Sequence, residues 1–398
     1  MSSLLTAERM VTTMVTTSPD KLDQPTYKEA CAAAFFNGHL YLSAIYALEA
    51  SATTSGQVLR YDPQAGWQPV FTLPLLDAGA TPSQVWSEMT VIPAGEKPAV
   101  LCVSIRSALG VQVYSSEDGI AYTLVSQLEP DSEEAFSLRR LVTFQGKLYS
   151  LPIVPLEDTP GGWAEIPLVA ATDLSAPGHW EEVSQPGFND LDNDAISRLV
   201  VFNQSLWAAT ANSVRGFQLW KTQGAETSHS WKQVLGSGTF RYTLNQVVGE
   251  VQVFKDALYL LCGYPVPGCG SLNHIPLKEP ELLRVNSDDT WDVLIGSPRF
   301  SPQGLKIPFT GMGAGFDEPY TTTFLFSVVH QGYLYIGANQ GEDFQLWGSM
   351  DGETWEQVAV EQLTSYPLTS VHSALSTPLG LVLISGGTQA SLEILLCT

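Results

Sequence analysis

Basic residues are scarce in this chain: 19 Lys and Arg stand against 41 Asp and Glu, giving a formal net charge of −22 over 398 residues. A surface of that sign repels phosphate backbones and anionic headgroups, which argues against nucleic-acid and membrane partners. Long apolar runs are missing as well. No stretch reaches the ~18 residues that a spanning helix needs. Cysteine is sparse, scattered and odd in number (Cys31, Cys102, Cys262, Cys269, Cys397), which does not fit a disulfide framework. The opening MSSLLTAERMV lacks the basic-then-apolar order of a secretory leader. Reduced thiols and a cytoplasmic setting are therefore expected. None of the six histidines (His39, His179, His229, His274, His330, His372) stands at a metal-ligand spacing from another. Phosphate loops, dinucleotide fingerprints and nucleophile elbows are also missing.

What the chain does have is repetition. From Phe326 to Val358 it reads as a meander of short strands broken by Gln331-Gly332 and Asp351-Gly352. Such dipeptides supply the glycine-compatible angles of tight hairpins. The second strand of this unit recurs at His39–Leu42, Lys147–Tyr149, Ser205–Trp207, Ala257–Tyr259 and Tyr333–Tyr335, with weaker copies at Val100–Cys102 and Gly380–Val382. The last strand recurs around Trp67, Tyr122, Trp180, Trp231, Trp291 and Trp355, about 50–65 residues apart. The third strand recurs as Gln57–Arg60, Gln112–Tyr114, Gln218–Trp220, Leu282–Arg284 and Gln345–Trp347. The reading is an all-β, seven-bladed propeller, with six blades as the alternative. The C-terminal copy lacks a fourth strand, and Met10–Val15 is β-prone, so an N-terminal strand is expected to close the last blade. Residues 1–24 then form a lead and residues 25–398 a single domain. A Pro-rich insertion, Leu151–Pro160, rules out a regular strand there on this reading. No helix of consequence is expected.

Ser349-Met350-Asp351-Gly352-Glu353-Thr354-Trp355 resembles the Asp-box of BNR-type propellers, and Ser116-Glu117-Asp118-Gly119 with Tyr122 is a degenerate copy. The resemblance implies a structural role: an aspartate caps the hairpin and the aromatic packs between sheets. The loops Gly187-Phe188-Asn189-Asp190 and Gly315-Phe316-Asp317-Glu318-Pro319-Tyr320 also resemble a bacterial propeller type that includes the propeller domain of cylindrocyclophane-type alkylating enzymes. That resemblance covers only the propeller, and none of those enzymes' catalytic residues can be placed here by motif.

In a propeller the first strand of each blade lines the central channel. Aligning these strands on Ile92, Phe144, Phe202, Phe254 and His330 puts Glu88, Arg140, Arg198, Glu250 and Phe326 four residues earlier, with Ala32 in the first repeat and Val371 or His372 in the last. Two acids and two bases at one height must pair or face water. One reading is a salt-bridge ring that fixes blade order. The other is a polar funnel in which Arg140 and Arg198 grip a carboxylate or phenolate, since guanidinium suits planar anions. In the funnel reading Glu88, Glu250 or Tyr320 manages protons, and Tyr242 and His372 contact the ligand. Asp190, Asp192 and Asp194 alternate like the start of a calcium loop. Ala195 and Val201 stand where that loop needs glycine and glutamate, so no cofactor is assigned.

The functional expectation is a small-molecule-binding propeller with its site at the channel mouth, taking an anionic or aromatic ligand. Natural-product tailoring that forms C–C or C–O bonds is the activity considered. A protein–protein interaction scaffold is the alternative. Exposed aromatics at the channel mouth would favour the first and at the outer edge the second. Whether the chain is an enzyme, and its oligomeric state, are left open by the sequence.

Overall fold

A computed structural model describes residues 4–5, 7–11, 26–47, 54–72, 86–92, 98–107, 110–128, 139–151, 153–155, 163–165, 169–173, 180–223, 230–263, 280–318, 320–340, 343–360, 371–387 and 390–398. The secondary structure is almost entirely strands joined as antiparallel meanders. The tight turns fall where the sequence places them. Asn37-Gly38, Gln145-Gly146 and Gln331-Gly332 all adopt positive φ at both residues, the backbone that two-residue hairpins require.

Five four-stranded sheets are separate. The first runs through Thr26–Phe36, His39–Ala47, Thr54–Asp62 and Gly66–Thr72. The second runs from Trp86 to Leu128 and the third from Arg139 to Glu182. Another spans Thr321–Gln357. The last joins Val371–Thr377, Gly380–Gly387 and Ala390–Cys397 to the N-terminal strand Ala7–Val11. The two meanders between Ala195 and Ile295 share one eight-stranded sheet through a single ladder pair, Ala211↔Val247. Five separate blades are thus present where seven, or alternatively six, were expected. The fusion arises because Asn212 and Phe217 donate their amides to Gln246 and Asn245, drawing one meander against the start of the next.

The inner strands Thr26–Phe36, Trp86–Ile92, Arg139–Phe144, Ala195–Phe202, Val247–Phe254, Thr321–His330 and Val371–Thr377 touch one another in chain order, and the last touches the first. The hydrophobic core is correspondingly divided between neighbouring sheets. Phe36, Tyr41 and Val58 pack on Met89, Leu101 and Ile105. At the far end of the chain, Val382, Ile384 and Ile394 pack on Leu40, Leu42 and Leu59, so a hydrophobic seam joins the last sheet to the first.

The N-terminal strand pairs antiparallel with Ala390–Cys397 in the register Ala7↔Cys397 to Val11↔Ile394. It begins earlier than the sequence suggests; residues 12–15 lie outside the described residues. Just before it, Leu4–Leu5 pairs in parallel with Ala359–Val360, a separate two-stranded ladder that follows directly on the last strand of the preceding sheet. The Pro-rich insertion does carry strands: Ile153–Pro155 and Trp163–Glu165 form a small hairpin, with Pro155 at its end where no ladder donor is demanded.

The turn at Ser349–Trp355 closes through side chain and backbone together. Asp351 accepts from the amides of Glu353 and Thr354, while Gly352 donates to Ser349 Oγ. Burial opposes ionisation of Asp351, but these amides prevail and hold its carboxyl at about 2. The turn at Ser116–Ala121 repeats the arrangement on Asp118.

Candidate functional site at the inner strands

The inner strands carry a recurring irregularity. Five of them have an extra residue at the same place opposite the partner strand: Cys31, Ser197, Gly249, Leu325 and His372 are skipped by the ladder, and two of these strands skip a second residue nearer their start, Lys28 and Thr322. A bulge bends the strand and re-aims the side chains around it. On its C-terminal side the register is shared: Ala32↔Ser43, Arg198↔Ala209, Glu250↔Leu261, Phe326↔Gly337 and Ser373↔Ile384. Glu88 joins this level through Glu88↔Ser104 in a strand with no bulge. The sequence alignment of these positions therefore holds for Ala32, Glu88, Arg198, Glu250 and Phe326.

Two expected members are displaced. In the last sheet the level belongs to Ser373, and His372 sits in the bulge. In the third sheet the ladder pairs Arg139 with Leu151, and Arg140 falls in a bulge between Arg139 and Val142. Arg140 adopts φ +56°, a strained state for a long side chain that its surroundings must hold in place. The backbone amide of Arg140 donates to Glu88 Oε2, which is one such restraint.

The charges on this level are tied unequally. Arg198 is buried; its Nη1 donates to the Ser197 carbonyl at 2.7 Å and its Nε lies 3.5 Å from Glu250 Oε2. Glu250 also accepts from the Val251 amide through Oε1. Arg140 differs: among the described residues no acidic side chain pairs with it, and its Nε is buried without a hydrogen-bond partner. His372 Nε2 is likewise buried and unpartnered, and burial pushes the imidazole pKa below its usual value. His330 is a packed histidine, with Nδ1 3.0 Å from Ser376 Oγ.

Tyr242 and Tyr320 stand on the connections that enter inner strands and are 56% and 71% exposed. Both are free to meet a ligand from solvent, and neither takes part in the buried network. Asp190 accepts from Gln218 Nε2 at 2.6 Å, Asp192 pairs with Arg215 at 2.8 Å, and Asp194 accepts from the Ser213 amide. Asp190 and Asp192 share Arg215, which also lies 3.9 Å from Asp190, while Asp194 turns to the backbone. Among the described residues no three His, Cys, Asp or Glu side chains form a group suited to a metal.

A second polar centre escaped the sequence reading. Glu281 is fully buried and accepts from Asn245 Nδ2, Arg299 Nη2 and the Ser297 amide, with Arg241 Nη1 2.9 Å away. It occupies the place that Gln218 and Gln345 hold in sister meanders, at the head of the third strand. Those glutamines instead accept from Trp220 and Trp347 indoles. The replacement of an amide by a carboxylate is the sequence signal, legible only once the repeats are aligned through Glu281 rather than Leu282. Cys262 beside this centre is a buried thiol whose pKa is raised by burial and then by Glu281, so it is poorly suited to nucleophilic work.

No family model matches the chain, and no curated protein matches it. Solved structures do. A polysaccharide lyase, Uly1, superposes with TM-score 0.56 at 9% identity, covering 93% of this chain and 89% of that one. The β-propeller domain of the Trilobed protease from Pyrococcus furiosus gives 0.51 at 9%, covering 93% and 95%. A puromycin hydrolase gives 0.54 at 10%, covering 92% and 51%. The chain spans about half the length of that hydrolase and of a Pyrococcus horikoshii acylaminoacyl peptidase. At such identities the likeness establishes the propeller-like fold alone. No helix among the described residues is long and apolar enough to cross a membrane.

Proposed function

We propose that the protein binds a small organic anion at the inner strands, with the Arg140 guanidinium as its principal contact. The supporting observation is the asymmetry of the charged level. Arg198 already has Glu250 beside it, whereas Arg140 carries its charge on a strained, bulged backbone with no acidic partner among the described residues. A half-buried cation without a counter-ion is costly, and a ligand carboxylate or phenolate would relieve that cost. In this reading the fused sheet counts as two blades, making seven around the channel. Arg198 is then a second contact, shared with Glu250. Glu88 and Glu250 are the nearest groups for moving a proton, and Tyr242, Tyr320 and His372 frame the approach. Bond-forming tailoring chemistry at this site is part of the proposal; the peptidases, lyases and hydrolases among the structural neighbours show only that such folds accompany catalysis.

The test is thermal stabilisation by benzoate and 4-hydroxybenzoate, with neutral benzamide as the control. Ligand at about ten times its dissociation constant adds about 1.4 kcal/mol of stability. Wild type is expected to respond to the acids and not to the amide. Arg140→Met should lose the response, and Arg215→Met, far more exposed, should keep it. Equal shifts in wild type and Arg140→Met, or none in either, would remove the reading.

A further inference from the structure

We infer that the outer edge of the sheet ending at Trp291–Ile295 is a self-association surface, on which a second copy of this chain docks. After that strand the chain makes a hairpin, Arg299–Ser301 with Gly304–Lys306. It then returns alongside the strand it has just left. Phe309 and Thr310 donate their amides to Val293 and Leu294, Gly296 donates to Met312, and Met312 bridges Ile295 in parallel. Lys306 Nζ reaches the Trp291 carbonyl. These bonds place the segment on the outermost strand, at the periphery of the sheet and away from the inner strands.

The segment should satisfy an edge, and it does so with polar backbone turned inward. Its side chains do the opposite. Phe300 is 78% exposed, and Leu305, Ile307 and Phe309 are all more than half exposed. An edge segment with four large apolar groups in water is unlike the charged edges by which solitary sheets avoid association.

Charge selects the occupant. The whole chain carries −22, so most of its surface repels a copy. Between Asp292 and Asp317 there is no carboxylate. The nearby cations are engaged: Arg284 lies over Phe309 at 5.1 Å and pairs with Asp292 and Glu353, and Lys306 stacks on Trp291. Two copies meeting strip to strip therefore bury apolar groups, and the carboxylates beside Phe309, Asp292 and Glu353, are already paired with Arg284. A basic partner would find only these two carboxylates, both already held by Arg284, and an acidic partner no available cation. Four such side chains offer on the order of 500 Å² per copy, so a two-fold pairing buries about 1,000 Å² in total. That is the lower bound for a specific interface and fits a weak, isologous dimer.

The test is sedimentation of the full chain from about 1 to 100 µM, the range of dissociation constants that weak dimers show, at low and high sodium chloride. The expected result is a mass that doubles with concentration and a dimer about tenfold tighter in high salt, because screening weakens the like-charge repulsion of the acidic bodies. Phe300→Asp and Leu305→Asp should each remain monomeric with an unchanged circular dichroism spectrum, since both side chains are exposed. Leu191→Asp, exposed on a different loop, should dimerise like wild type. A wild type that is monomeric throughout would overturn the inference. So would aspartate variants that dimerise normally, or Phe300-dependent capture of a different protein by a monomeric chain.

Discussion

Gly352 and Gly332 separate two costs that are usually confounded. Both have nearly the same left-handed backbone, φ +81° and +82°. A Cβ on Gly332 meets nothing within 4 Å, whereas one on Gly352 would overlap the hydroxyl of Tyr259, a fully buried side chain of the neighbouring meander. Gly332→Ala should therefore cost only the backbone strain, about 1 kcal/mol. Gly352→Ala should cost that plus the displacement of Tyr259, in all about 3 kcal/mol. Removing the hydroxyl with Tyr259→Phe should recover part of the second loss and none of the first. Urea titration of the single and double variants reads the coupling directly; additive losses would mean that the turn does not rest on Tyr259. Gly119 and Tyr41 repeat the same approach in the second sheet, so the latch belongs to the repeat rather than to one accident of packing.

At the scale of elements, the meanders were legible because their signals are local. Asn-Gly and Gln-Gly turns, alternating apolar residues and a trailing tryptophan lie within a few residues of one another, and the structure places strands on them. The bulges were not legible. A skipped residue such as Ser197 or Gly249 is defined by the partner strand, and nothing in one strand's composition marks it. That is why Arg140 and His372 came out one place from the ladder level while Glu88, Arg198 and Glu250 did not. The Glu281 centre was hidden for a different reason: Arg241 comes from the connection before its meander and Arg299 from the connection after it. Three short left-handed turns on such connections, Gly187–Asn189, Gly238–Phe240 and Gly315–Asp317, also gave only a partial signal in their glycines. All three set a phenylalanine against tryptophan: Phe188 stacks on Trp220, Phe240 on Trp291 and Phe316 on Trp347. Glu281→Gln tests the centre. It restores the amide found at Gln218 and Gln345, yet leaves two buried guanidinium groups without their carboxylate. Breaking a buried network from one side costs about 3–5 kcal/mol, so this conservative change should lower the urea midpoint far more than Gln345→Glu raises or lowers it at the sister position. A neutral outcome would show that Arg241 and Arg299 find other partners.

Over the whole molecule, the decisive element is the N-terminal segment, because it holds two sheets at once. Ala7–Val11 supplies the fourth strand of the last sheet, and Leu4–Leu5 forms a separate two-stranded ladder with Ala359–Val360, just past the end of the sheet before it. The hydrophobic seam between last and first sheets would persist without it, since Val382, Ile384 and Ile394 still face Leu40, Leu42 and Leu59. What deletion removes is the hydrogen-bonded edge of Ala390–Cys397. Losing the pairs from Ala7↔Cys397 to Val11↔Ile394 should cost on the order of 3 kcal/mol and expose a strand rich in Leu and Ile to other chains. Deleting residues 1–11 should therefore lower the urea midpoint and raise light scattering together. A synthetic peptide of residues 1–15 added in trans should reverse both, because the empty edge accepts the same strand from any source. Recovery of stability by that peptide, but not by one with Arg9 replaced by proline, would tie the effect to ladder pairing, since proline cannot donate to the ladder. If the deleted chain keeps its midpoint and stays clear in solution, the apolar seam alone closes the ring and the strand is dispensable.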